Sequence, residues 1–156
     1  MEYLSFEKTP EVNYAKFLDY NLLSENKDAK LKRHVGLVSE RLLLIEEKSI
    51  SENLKFYKSS IGSKVDMIPI LKELGLLNSK KVSEYNDHKK ILIKIAVLLA
   101  KNPDLLIIDN PQNQLDIGEY KNMMSSLQNI ASSTGVGVLV ILSNMDIVNL
   151  FPGRSF

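Results

Sequence analysis

The chain has 156 residues, a length that fits one domain with a sizeable core. Hydrophobic residues make up 44% of it and charged residues 25%, and the net charge of +1 gives no electrostatic reason to expect nucleic-acid or anionic-membrane binding. Because the chain contains no cysteine, disulfides and thiolate metal sites are excluded. No apolar run is long enough for a membrane span, and the first residues lack a signal-peptide pattern, so we expect a cytoplasmic protein.

Short apolar runs alternate with longer amphipathic stretches, a pattern that predicts an α/β fold. Residues 12–18 are predicted to form an edge strand, and residues 35–38 a short buried strand. Residues 105–108 and 138–142 are the strongest strand predictions, because branched apolar side chains are dense there. Between them, residues 118–132 carry apolar side chains at helical spacing, which predicts a right-handed crossover between two parallel strands.

The middle of the chain is predicted to be helical. Three helices are expected there: residues 50–57, 65–74 and 86–100. Ser49 or Ser51 would cap the first of them, and Gly75 would end the second. Together these helices predict a helical insert, roughly residues 46–100, within an α/β sheet.

The apolar run at residues 105–108 leads straight into Asp109. Such a run predicts a buried parallel strand that brings Asp109 to the carboxyl edge of the sheet, where open α/β sheets bind their ligands. Two interpretations of Asp109 stay open: it binds Mg²⁺, or it is a strand-end carboxylate that bonds to neighbouring backbone. Asp116, seven residues later, is expected to cap the helix that follows.

Several segments, in this order and at this spacing, resemble the ATP-binding subunits of ABC transporters. Residues 34–40 are similar to the strand entering the Q-loop, residues 50–57 to the T-V-x-E-N-L-x-F stretch, and residues 85–90 to the signature motif. Residues 96–103 are similar to the A-x-A-L-x-x-x-P phrase, residues 105–116 to the Walker B strand with its D-loop, and residues 142–144 to the H-loop. The resemblance covers nearly the whole chain. It implies one domain, residues 1–156, with a truncated P-loop NTPase-like fold, a mostly parallel sheet and an inserted helical subdomain.

The resemblance also implies a role for each nucleotide-contacting position. Asp109 stands where the family holds Mg²⁺, and Asp116 stands in the D-loop. Asn110 stands where the catalytic glutamate is expected, Asn144 replaces the H-loop histidine, and Glu40 replaces the Q-loop glutamine. An amide cannot accept a proton from the attacking water as a carboxylate can, so these changes predict that hydrolysis is lost.

At the signature motif, Asn86, Asp87 and His88 stand where the family has Ser-Gly-Gly. The family needs small residues there, because backbone N–H groups at this helix N-terminus approach a partner's nucleotide. We expect Asn86 or Asp87 to cap its own helix instead, and this end to contact a partner's ATP poorly.

The P-loop motif G-x-x-x-x-G-K-[ST] does not occur, because none of the seven glycines is followed by lysine. Residues 3–10 resemble the end of the family's first helix and the turn after it, which implies that Met1 lies inside the helix that follows the P-loop. The P-loop provides the main anchor for the triphosphate, so ATP and Mg²⁺ binding is expected to be weak or lost.

Two functional hypotheses follow from the resemblance. The first is a non-catalytic structural or regulatory subunit of an ABC transport system, which pairs with an intact ATPase, with a second copy, or with a permease at the inner face of the cell membrane. The alternative is an ATP-hydrolysing subunit represented by a truncated or split chain. Absence of the P-loop strand would remove one neighbour of the strand that bears Asp109 and expose an apolar sheet edge, which predicts self-association or an obligate partner.

Two further pairs of residues are assigned unremarkable roles. His34 and His88, the only histidines, have no ligand cluster near them in the sequence, so both are predicted to lie on the surface, with no metal or Ser-His-Asp site. Met123 and Met124 are predicted to fill the core.

Overall fold

The protein is described from a computed structural model. It describes residues 16–17, 20–21, 34–39, 41–59, 62–78, 80–109, 111 and 115–141. Three residues predicted to contact nucleotide therefore lie outside the described residues: Glu40, Asn110 and Asn144.

A three-stranded parallel sheet forms the centre of the described structure. Its strands are β3 (Val35–Val38), β4 (Leu105–Asp109) and β5 (Gly137–Ile141), in the order β3-β4-β5. The register aligns Gly36 with Leu106 and Leu106 with Val138. The predicted α/β architecture and its parallel strands are confirmed.

A separate two-stranded antiparallel sheet lies earlier in the chain. It consists of β1 (Lys16–Phe17) and β2 (Tyr20–Asn21). Strand β1 falls within the strand predicted at residues 12–18, of which residues 12–15 and 18 lie outside the described ones.

Three α-helices and one 3₁₀ turn connect β3 to β4. They are α1 (Ile50–Ser59), α2 (Ile68–Glu73), the 3₁₀ turn Val82–Glu84 and α3 (Asp87–Leu99). A fourth helix, α4 (Ile117–Thr134), connects β4 to β5 and ends at Gly135, whose φ of 77° is the left-handed conformation that glycine adopts readily. The predicted helices at residues 50–57, 86–100 and 118–132 are confirmed to within a few residues.

Helix α2 is shorter than predicted, because it begins only at Ile68 rather than at residue 65. Pro69 stands in its first turn, and a proline there cannot donate to the carbonyl four residues earlier and clashes with it. That carbonyl, on Val65, accepts a hydrogen bond from Lys58 Nζ at 2.6 Å instead. The chain before Ile68 is therefore not helical.

The core lies where α3 packs on the sheet and on the other helices. Eight of the thirteen residues of α3 are buried, and they join α1, α2, α4 and the strands in one apolar cluster. Gly36 allows the close approach of α3 to β3, because a Cβ at this position would lie 3.3 Å from both Leu98 Cβ and Leu106 Cδ1. Met123 is buried and Met124 packs against the same cluster, which confirms that both fill the core.

In the described part of the chain, no helix combines the length and the apolar character that crossing a membrane requires.

Candidate functional site

Asp109 is the last residue of β4 and is exposed at the carboxyl end of the sheet, as predicted. It is aligned with Ile141, the last residue of β5. Among the described residues, no group of three histidine, cysteine or acidic side chains is placed to hold a metal ion. A single exposed carboxylate retains water ligands and needs phosphate oxygens to complete a Mg²⁺ site, so Asp109 could contribute to such a site only together with a ligand.

Asp116 caps α4, which confirms its predicted role. Its backbone is extended (φ −74°, ψ 170°), and its Oδ1 accepts the Glu119 N–H at 2.8 Å. Glu119 reciprocates, because its Oε2 accepts the Asp116 N–H at 3.1 Å. This capping box satisfies two N–H groups that the first turn of the helix would otherwise leave unpaired.

Asn86 caps α3, which decides between the two candidates at the helix that follows the 3₁₀ turn. Its Oδ1 accepts the Lys89 N–H at 3.0 Å, while Asp87 is exposed as the first helical residue. One of the N–H groups at this helix end is therefore already bonded within the chain. The negative charge of the Asp87 carboxylate interacts favourably with the helix dipole and repels an approaching anion.

His88 is not on the surface, so its prediction is wrong. Its side chain is only 14% exposed, and its Nδ1 lies 2.9 Å from Oε1 of Glu119, which is 30% exposed. The Nε2 atom of His88 is buried and has no hydrogen-bond partner among the described residues. The first turns of α3 and α4 thus meet through this pair of side chains.

His34 lies at the other edge of the sheet, directly before β3. Its ring Nδ1 contacts the Asp104 carboxylate, and the Asp104 N–H donates to the His34 carbonyl at 2.9 Å. Its side chain is 41% exposed, which confirms the predicted surface position. His34 directly precedes β3, whereas His88 lies in the first turn of α3. The two histidines lie at different ends of the fold, so they do not form one site.

Two lysines of α3 contact the chain that leaves β3, one at Ser39 and the other at Glu46. Lys94 Nζ donates to the carbonyl of Ser39 at 3.0 Å, and Lys90 Nζ lies 3.0 Å from Oε2 of Glu46. The segment is fixed on its other side by Asn53, which is fully buried and bonds to the backbone of Ile45. Helix α3 is thereby linked to the chain that leaves β3.

Sequence reasoning missed these contacts and the role of Glu119. The D-x-x-E spacing of Asp116 and Glu119 is a capping-box pattern that could have identified the glutamate. Nothing in the sequence pairs Glu119 with His88, because 31 positions separate them and only tertiary packing brings them together.

A protein-family model described as "ABC transporter" matches residues 4–113 of the chain. The methionine import ATP-binding protein MetN of Clostridioides difficile is 25% identical over 139 residues, which are 85% of this chain and 43% of MetN. The cell division ATP-binding protein FtsE of Bacillus subtilis is 27% identical over 143 residues, or 87% of this chain and 62% of FtsE. The chain spans about two fifths of the length of the MetN proteins that it matches.

Solved structures show the same fold. CbiO1 from Clostridium perfringens, described as part of the ABC transporter complex CbiONQ, superposes with a TM-score of 0.78 at 21% identity over 96% of this chain and 63% of that chain. A dimeric ATP-binding cassette in a post-hydrolysis state, bound to ADP and phosphate, gives a TM-score of 0.71 at 18% identity over 92% of this chain and 68% of that chain.

Proposed function

The chain belongs to the ABC transporter family, and we propose that it is a non-catalytic, ATPase-like subunit with a structural or regulatory role in an ABC transport system. The observation that carries this proposal is the N-terminus of α3, the helix that follows the family's signature position. There Asn86 bonds the Lys89 N–H, Asp87 adds a negative charge, and His88 is held by Glu119. A helix end that is filled in this way offers a phosphate fewer free N–H groups and less space than one built from small residues.

The positions of the chain that would contact the reacting phosphate support the same conclusion. Asn110 stands in place of the catalytic glutamate, and its amide cannot act as a general base. Asn144 stands in place of the H-loop histidine, and Glu40 places a carboxylate where the family has a neutral glutamine. Each substitution removes or reverses an interaction with nucleotide, so their combination favours loss of hydrolysis over altered specificity.

Asp109 retains the carboxylate that the family uses at the Mg²⁺ position. Without phosphate oxygens from a firmly bound nucleotide, one carboxylate is a weak Mg²⁺ ligand. We therefore propose that ATP and Mg²⁺ binding is weak or lost, although the strand that presents Asp109 is intact.

The proposed partners are an ABC ATPase subunit or a second copy of this chain, and a membrane permease. The cassette bound to ADP and phosphate is dimeric and CbiO1 is part of a larger complex, which supports both kinds of partner. The predicted exposed edge at the strand that bears Asp109 is wrong, because β4 pairs with both β3 and β5. Among the described residues the edge lies at β5, which pairs only with β4 and whose residues 138–141 are apolar and half-buried. Apolar sheet edges are usually paired or covered, so this edge supports association as well. The proposed location is the cytoplasm, at the inner face of the membrane when a permease is bound.

Titration calorimetry of the purified chain with MgATP, together with a phosphate-release assay, tests the proposal. We expect no micromolar binding and no turnover, and we expect Asp109→Ala to change neither measurement. Micromolar MgATP affinity, or turnover that Asp109→Ala abolishes, would refute the non-catalytic role. Light scattering on a dilute sample tests association, and a stable monomer that binds neither an ABC ATPase nor a permease would contradict the proposed partners.

The alternative function is an ATP-hydrolysing ABC transporter subunit whose P-loop segment comes from a longer or a second polypeptide. It is favoured by one observation: the matching MetN proteins are named as ATP-binding proteins, and this chain spans about two fifths of them. A P-loop-encoding segment in the DNA upstream, in any reading frame, would support this function. Joining that segment to the chain and recovering MgATP hydrolysis would establish it.

A further inference from the structure

The N-termini of two long helices meet at one carboxylate, that of Glu119. Helix α3 has 13 residues and α4 has 18, so each N-terminus carries the partial positive charge of a helix dipole. His88 lies in the first turn of α3 and Glu119 in the first turn of α4, and their side chains are 2.9 Å apart. The Glu119 carboxylate therefore occupies the kind of surface on which proteins bind anions.

Both oxygens of this carboxylate are engaged. Oε2 accepts the Asp116 N–H at 3.1 Å, within α4, and Oε1 contacts His88 of α3 at 2.9 Å. The two partners are half-buried, which shields their contact from water and salt. An external anion would have to displace Glu119 from His88 and approach against its negative charge.

A second capping box in the same protein shows that capping alone does not require this link. In α1, Oε2 of Glu52 accepts the Ser49 N–H at 2.9 Å, as Oε2 of Glu119 accepts that of Asp116. Its Oε1, however, meets Lys48 at 3.1 Å, on the same stretch of chain and half exposed. Of these two capping-box carboxylates, only that of Glu119 also contacts another helix.

We propose that the His88–Glu119 pair is an autoinhibitory contact, in which Glu119 is a built-in anion that keeps the joint N-terminal surface of α3 and α4 closed to external phosphate groups. This inference rests on the proposed function and deepens it, because it names the group that fills the helix end. Asn86 and Asp87 reduce the attraction of this helix end for a phosphate. The Glu119 carboxylate is bound to the His88 imidazole, the group that could still hold a phosphate.

Glu119→Gln tests the contact, because it removes the negative charge and retains the size of the side chain. The thermal midpoint is measured in inorganic phosphate and in chloride at equal ionic strength, without nucleotide. We expect the wild type to gain only the general stabilisation that a kosmotropic salt gives, and Glu119→Gln to gain about 3 °C more than the wild type in phosphate, as expected when a ligand binds the folded state at a concentration several times its Kd. Glu52→Gln is the matched control and should gain no more than the wild type, and His88→Ala added to Glu119→Gln should remove the extra gain.

Nitrogen-15 NMR of the imidazole rings gives a direct reading, since the chain contains only two histidines. Phosphate should shift the His88 ring signals in Glu119→Gln and leave them unchanged in the wild type, with His34 as an internal control. The inference is overturned if Glu119→Gln gains no more from phosphate than the wild type or Glu52→Gln does. If the variant does not fold, a phosphate-induced shift of His88 in the wild type overturns it and an unchanged signal supports it. Micromolar MgATP binding by the wild type would instead refute the proposed function, which separates the two failures.

Discussion

We expect Asn53→Ala to destabilise the protein by about 2–3 kcal/mol, because it leaves a backbone donor without a partner. Asn53 is fully buried in α1, the only polar side chain so buried in the described part of the chain. Its Oδ1 accepts the Ile45 N–H at 2.8 Å, and its Nδ2 donates to the carbonyls of Ile45 and Ser49 at 3.0 Å each. The side chain thus fastens the segment before α1 to the helix.

The magnitude follows from what each backbone group has left. The Ile45 carbonyl still accepts the Lys48 N–H at 3.0 Å, and the Ser49 carbonyl still accepts the Asn53 N–H at 3.0 Å. The Ile45 N–H keeps no other partner among the described residues. One orphaned donor costs about 1–3 kcal/mol, and the two lost side-chain bonds add a smaller amount because their acceptors remain paired.

Urea unfolding of the wild type and of two Asn53 variants tests this account. Asn53→Asp should be worse than alanine, because it places a carboxylate oxygen against two carbonyl oxygens in a buried site. Asn129→Ala is the matched control: Asn129 also donates from its Nδ2, to Glu73 at 2.8 Å, but on the surface, so its loss should stay within about 0.5 kcal/mol. A loss below about 1 kcal/mol for Asn53→Ala, or an aspartate variant as stable as the alanine one, would refute the reasoning.

Three further predictions concern helix ends. The Ser49 N–H, and then Lys48, lower the pKa of Glu52 from 4.5 to about 2, so the stability that Glu52 contributes is present above about pH 4.5 and is lost as the pH falls toward 2. Glu52→Gln should therefore flatten the acid limb of a stability–pH curve between these values, and an unchanged limb would contradict this prediction. Asp116→Ala should cost about 1 kcal/mol in urea unfolding and Asp116→Ser much less, and equal losses would exclude capping as the cause. Gly135→Ala should cost about 1 kcal/mol, because φ is 77° there, and Gly135→Asn should cost less; a neutral alanine variant would contradict the left-handed cap.

The elements that the sequence predicts well are those whose signal is local. Residues 105–108 are apolar and branched, and this run alone indicates a buried strand that ends at Asp109. Asp116 is predicted as a cap because its side chain acts on N–H groups within three residues. Helix α2 shows where such patterns fail, since its apolar spacing continues before Pro69 although the proline ring forbids a helix there.

The contacts at the candidate site depend on tertiary packing, and the sequence therefore does not reveal them. His88 meets Glu119, and Lys94 reaches the carbonyl of Ser39, 55 positions earlier. A lone histidine in a charged stretch is usually exposed, and the prediction for His88 failed because packing against α4 covers it. Asn53 could have been suspected, since it shares the buried face of α1 with Ile50 and Leu54, but its partners are defined only by the fold.

The first turn of α3 shows how the proposed loss of ATP chemistry and the stability of the fold are connected. Asn86 caps the helix about as well as the serine expected at a signature motif would, so capping does not explain the other two substitutions. Glycine within a helix costs about 1 kcal/mol relative to alanine, and Asp87 and His88 each cost a few tenths less than that. The contact of His88 with Glu119 stabilises the fold by about a further 0.5–1.5 kcal/mol, as a partly shielded hydrogen bond does. A chain that binds a phosphate at this helix end needs the two glycines, because they allow the phosphate to approach the backbone closely. A chain that binds no phosphate there can replace the glycines and gain the stability of better helix-forming residues and of the His88–Glu119 contact. The side chains at positions 87 and 88 are therefore those that the proposed loss of nucleotide contact at this helix end predicts.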